Sequence, residues 1–138
     1  MDIEDNAALT SLSELESVVS IGGHLVIEAN PELQSLDALA ALETVGDNLY
    51  VIDNDSIQNL DALGNLTEIG GYLEISGNAD LTDIGGLYGL TAFEGGLVIE
   101  SNASLPTCDA MAFRDWLMIA LDWSGYSLIE NNLADSCS

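Results

Sequence analysis

The sequence predicts a β-solenoid, a right-handed stack of 24-residue coils sharing one parallel sheet and closed at the C-terminal end by a capping helix and strand. Three observations predict it. Residues 22–45 (GGHLVIEANPELQSLDALAALETV), 46–69 (GDNLYVIDNDSIQNLDALGNLTEI) and 70–93 (GGYLEISGNADLTDIGGLYGLTAF) align without insertion or deletion. Seven positions of this repeat are apolar in every coil they reach, and an eighth is asparagine throughout. Self-similarity at a fixed period is the mark of units that bury their faces against one another.

The elements follow in order along each coil. Residues 1–21 read as the end of an earlier coil, with Met1 and Ile3 already in strand positions. Gly22 with Gly23, Gly70 with Gly71 and Gly95 with Gly96 precede the strands, where a tight corner is expected to need backbone angles that other residues resist. Asp47 and Asn48 take that place in one coil. The pairs Leu25/Ile27, Leu49/Val51, Leu73/Ile75 and Leu97/Ile99 then alternate with a variable residue, the period-2 pattern of a short strand. Asn6, Asn30, Asn54, Asn78 and Asn102 follow as a structural ladder, because stacked amides can satisfy backbone groups left exposed at a turn. Apolar residues next come every three positions, as in Leu33, Leu36, Leu39, Leu42 and Val45. That spacing suits 3₁₀ turns or a short helix returning the chain to its start.

The pattern breaks near the C-terminus. Cys108 and Met111 still occupy apolar columns, but the repeat would demand an apolar residue at Arg114. Phe113, Trp116, Leu117, Ala120 and Leu121 instead recur at helical spacing from Thr107 or Asp109 to about Asp122, with Gly125 placed to end the helix. Ser127-Leu128-Ile129 reads as one last strand, with Asn132 in the asparagine position. The chain is thus expected to be a single domain, with repeats over 1–108 and a cap over 109–138. Cys108 and Cys137 flank the helix, either as a terminal disulfide or as two buried thiols.

These features resemble the leucine-rich repeat in its receptor L-domain form, G-G-x-L-x-I-x-x-N-x-x-L followed by spaced leucines, over residues 1 to about 108. The ending LPTCDAMAFRDWL with the later LIENNLADSC resembles the cysteine-closed cap of bacterial surface proteins carrying this repeat. The resemblance implies extracellular or cell-surface recognition and adhesion and brings no catalytic motif. Relative to animal receptors of the class, the coils are more uniform and an internal cysteine framework is missing.

Charge narrows the partners. The 138 residues carry 24 acidic side chains against one basic residue, Arg114, for a net charge of −23. Nucleic acid is therefore an unsuitable partner, because affinity for phosphate backbones comes from Lys and Arg displacing counterions. Cations, basic partners or a saline medium suit this surface better. No apolar run reaches the roughly 18 residues a membrane span requires. The segment MDIEDNAAL lacks the basic and apolar regions of an export signal.

Candidate sites lie on the strand face, where solenoids commonly bind. Val26, Tyr50, Glu74 and Val98 are expected to point outward, with Ile52 and Tyr72 beside them, forming an exposed apolar and aromatic patch for a protein or glycan. No enzyme is expected: His24 stands alone, there is no lysine, and no nucleophile and base share a recognisable spacing. Neither a cofactor nor a metal is implied. Asp37 and Asp61, equivalent in adjacent coils, read as a repulsive surface rather than a cation site. The stretch Asp53-Asn54-Asp55-Ser56 lacks the glycine and closing glutamate of a calcium loop. The expected function is a noncatalytic extracellular recognition or adhesion module. The alternative is a structural protein that stacks end to end through the N-terminal coil into dimers or filaments.

Overall fold

A strand that alternates apolar and variable residues must place one face against a core, and a chain that repeats this pattern can meet its own copies in register. The computed structural model describes residues 1–137 and is a predominantly parallel-strand fold with one helix. Six strands, β1 (Asp2–Glu4), β3 (Leu25–Glu28), β5 (Leu49–Ile52), β7 (Leu73–Ser76), β9 (Leu97–Glu100) and β10 (Ser127–Glu130), form one parallel sheet in that order. Leu25 pairs with Leu49, Leu49 with Leu73 and Leu73 with Leu97, so each strand meets the next copy of itself. At the last step Ser127 pairs with Leu97, because helix and loop have been inserted between them.

A second sheet replaces the expected single one. Two-residue strands β2 (Ser20–Ile21), β4 (Thr44–Val45), β6 (Glu68–Ile69) and β8 (Ala92–Phe93) pair in parallel just before the glycine corners. They are too short to show alternation, and the three-residue spacing running into them resembles a continuing turn. The return arcs contain 3₁₀ turns at Asp37–Leu39, Asp61–Asn65 and Gly85–Gly89, as their spacing predicts. Between sheets and turns lies one continuous core in which Leu25, Ile27, Leu33, Leu39 and their equivalents in the following repeats are fully buried.

The glycines act through space rather than through backbone angle. A Cβ on Gly46 would strike the Gly22 carbonyl, one on Gly70 the Gly46 carbonyl, and one on Gly95 the Gly71 carbonyl. At these three positions glycine is needed because the preceding repeat lies against it, whereas a Cβ at Gly22 or Gly23 would meet nothing within 4 Å; among the glycines only Gly77 has positive φ, at 67°. The left-handed positions lie instead just after the strands, at Asp5, Ala29, Asp53, Gly77, Ser101 and Asn131, and just after the helix, at Asp122.

Helix α1 spans Thr107–Ala120 and buries Ala110, Phe113 and Leu117. Cys108 and Met111 are consequently only half-buried rather than continuing the core columns, since a helix turns residues three apart away from the interior that a return arc would fill. The helix ends at Leu121, whose N–H donates to the Leu117 carbonyl, so Gly125 does not terminate it. Gly125 lies against Gly95 and the Trp123 ring, where a Cβ would collide with both. Trp123 stacks on Phe93 at 5.7 Å and donates its indole N–H to the Gly95 carbonyl at 2.9 Å. The Cys108–Cys137 disulfide ties the tail to the start of α1 across 5.2 Å between Cα atoms. At the opposite end Met1 is exposed and Ile3, Leu9 and Leu15 are only partly covered.

Candidate functional site

Strand register sets the outer face of the six-stranded sheet. One row across it reads Asp2, Val26, Tyr50, Glu74, Val98 and Leu128, each paired with the next. A second row reads Glu4, Glu28, Ile52, Ser76, Glu100 and Glu130. Neighbours in a row are held about 4.8 Å apart by the ladder. Tyr72 and Tyr126 precede their strands and are 48% and 60% exposed, the most open aromatic rings on this side. A Cβ on Gly96 would strike the Tyr72 ring, so the absence of a side chain there lets the tyrosine lie down over the next repeat.

Of the residues singled out from the sequence, Tyr50, Ile52, Glu74 and Val98 are half-buried in these rows and Tyr72 stands at their edge. Val26 departs from expectation: it occupies the outward row but is only 9% exposed, a short branched side chain beside its larger neighbour Tyr50. Leu128, Tyr126 and Glu130 extend the face beyond the residues the sequence pointed to. Their register follows from Asn132 in the asparagine position, which sets Leu128 beside Val98 and Glu130 beside Glu100 across six additional residues.

Electrostatics of the face are one-sided. Glu74 accepts a hydrogen bond from the Ser76 hydroxyl at 2.9 Å, and the His24 ring meets Asp2 at 2.7 Å. The Tyr50 phenol is pushed above its ordinary pKa, first by burial and then by the negative charges of Glu74 and Asp47. Among the described residues the ion pairs are Met1 N-terminus with Asp2 and Arg114 with Asp115, and the His24 ring also lies against Asp2, so the glutamates of the second row have no cationic partner.

The asparagine positions behave as framework. Asn30, Asn54, Asn78 and Asn102 are fully buried, and each backbone N–H donates to the side-chain oxygen of the next asparagine at 3.1 to 3.2 Å. Each amide nitrogen also donates to the strand carbonyl of the preceding repeat, as from Asn54 to Ile27 at 2.8 Å, and to a carbonyl two residues back, Ile52 at 2.9 Å. Asn6 and Asn132 extend the series at its two ends. With its amide committed in this way, Asn54 has no ligand atom to lend to a calcium loop at Asp53–Ser56.

Other concavities are less organised. A groove of ≈ 440 Å³ at the N-terminal repeat is lined by Ile3, Leu9, Leu12 and Leu15 with Asp2, Asn6 and Glu14 at its rim. A polar depression on the return arcs is lined by Gln34, Ser35, Asp37, Ser56, Gln58 and Asp80. Among the described residues the one group of three metal-ligating side chains is Cys108, Asp135 and Cys137, and its two sulfurs are spent on the disulfide. No helix among the described residues is long and apolar enough to cross a membrane. Comparison of the chain with protein-family models, with curated proteins and with solved structures found no match.

Proposed function

We propose that the chain is a right-handed solenoid of 24-residue coils in the receptor L-domain style, and that it serves as a noncatalytic extracellular recognition or adhesion module. In-register pairing of successive repeats and the asparagine bonds between them support the architecture. The disulfide suits an oxidising, extracellular compartment. The binding surface in this reading is the outer face of the six-stranded sheet, which takes a protein or glycan.

One observation carries the functional reading: Tyr50, Ile52, Val98 and Leu128 lie half-open on a rigid sheet, flanked by the exposed rings of Tyr72 and Tyr126. Aromatic rings fixed by a scaffold supply apolar contact area at little entropic cost, together with a polar hydroxyl. The test is binding of the intact chain to arrays of oligosaccharides and extracellular proteins, repeated with Tyr50→Ala/Tyr72→Ala after checking that its circular dichroism is unchanged. Loss of a specific signal in the variant supports the reading; an equal signal from both proteins overturns it.

The apolar N-terminal groove favours a second reading, end-to-end stacking of copies. Light scattering across concentration, with and without a bulky tag at Met1, tests it. A mass that grows with concentration and is capped by the tag supports stacking, and a strict monomer rejects it.

A further inference from the structure

We propose that the outer face of the six-stranded sheet takes an extended cationic polypeptide segment, with basic side chains at two carboxylate poles and an apolar stretch between them. The inference rests on the strand-face reading above and names the chemistry of its partner.

The poles come from register. Glu4 lies beside Glu28 at one edge of the second row, and Glu100 lies beside Glu130 at the other. Like charges held next to each other in a ladder destabilise it, and among the described residues none of the four has a counter-cation. Between the poles the row becomes Ile52 and Ser76, while the adjacent row holds Tyr50, Glu74 and Val98, with the Glu74 carboxylate accepting a hydrogen bond from Ser76. Paired carboxylates are therefore confined to the two ends of the strip, with Glu74 the single one between them, so a basic partner relieves repulsion and an acidic one is refused.

Geometry specifies the segment further. The midpoints of the poles are four strand spacings apart, about 19 Å at about 4.8 Å each. An extended chain advances about 3.3 Å per residue, so basic groups about six positions apart reach both poles, with apolar residues over Ile52 and Tyr50. Tyr50 and Tyr72 can also present ring faces to arginine. A neutral oligosaccharide would find the hydroxyl acceptors but leave the paired glutamates uncompensated.

The test uses fluorescence anisotropy with the intact chain and two synthetic peptides of identical composition. One has two arginine pairs separated by four alternating leucines and serines; the other has all four arginines together. The spaced peptide is expected to bind more tightly and to weaken as salt is raised. Glu28→Gln/Glu100→Gln is expected to weaken it about tenfold, as for charged contacts at an interface. Glu43→Gln/Glu68→Gln removes the same charge away from the face and is expected to cost less than about twofold. Equal losses in the two variants, or equal binding of the two peptides, overturn the inference by showing that net charge alone acts. Failure of both peptides alongside an oligosaccharide signal that Tyr50→Ala/Tyr72→Ala abolishes overturns the cationic partner and leaves the recognition face standing. Failure of every ligand overturns both.

Discussion

Asn54 joins two successive repeats. It accepts the Asn30 N–H and gives its amide hydrogens to the carbonyls of Ile27 and Ile52, the first two bonds buried and the third part-buried. Removing the amide strands those groups, each at about 1 to 3 kcal/mol when buried. Asn54→Ala is therefore expected to lose about 2 to 4 kcal/mol in urea unfolding. Asn54→Asp should lose a comparable amount because a carboxylate keeps the acceptor but cannot donate. Asn6→Ala, at the solvent-exposed end of the series, should cost less than about 1 kcal/mol; equal losses at the two sites would refute a role set by burial. Tyr50 gives a second check at this scale. Its raised phenol favours the neutral form in the fold, so its contribution to stability is complete below the unfolded tyrosine pKa and fades as pH rises through the folded value. Absorbance titration of the phenols should place Tyr50 lower in Glu74→Gln, since one of its two carboxylate neighbours is gone; an unmoved titration would contradict that cause.

Helix α1 begins without a side-chain cap of its own, as Pro106 stands at the N-cap. The cap arrives from the tail, where both carboxylate oxygens of Asp135 lie within reach of the Cys108 N–H, at 3.2 and 3.4 Å. Negative charge there also meets the positive end of the helix dipole. Cys137, two residues on, bonds covalently to Cys108, so disulfide and cap share one lever. Replacing both cysteines by serine should destabilise the chain by about 3 to 4 kcal/mol on the loop-entropy account. Asp135→Asn should cost about 1 kcal/mol with the disulfide present, and much less without it, because the untethered tail no longer holds the carboxylate in place. A double-mutant cycle reads this coupling, and strict additivity would rule it out. The strands show how partial the sequence signal was at this level. β5 and β7 are legible from Leu49/Val51 and Leu73/Ile75, whereas β4 and β6 have two residues each and leave no alternation to find.

Charge acts on the whole molecule. With a net charge of −23 and Arg114 already paired to Asp115, carboxylate repulsion is spread over the surface of the folded chain. Salt should therefore raise the melting temperature steadily between about 0.01 and about 0.5 M, as the screening length falls from about 30 Å to about 4 Å. A flat profile would mean that repulsion in the unfolded chain matches that in the fold. The sequence by itself left Cys108 and Cys137 open between a disulfide and two thiols, and it determined the 24-residue period, the strand and asparagine columns, the place of the helix and the acidity. Each is either a property of composition or a contact between equivalent positions, which writes itself into every copy. Tertiary structure alone decided that the glycines yield to a neighbouring carbonyl, that Val26 sinks beside Tyr50, that Asp135 caps α1, and that Glu4/Glu28 and Glu100/Glu130 become two poles of one face. Those contacts join positions that are unlike, or occur only once, so no period in the chain announces them and only the packed backbone brings them together.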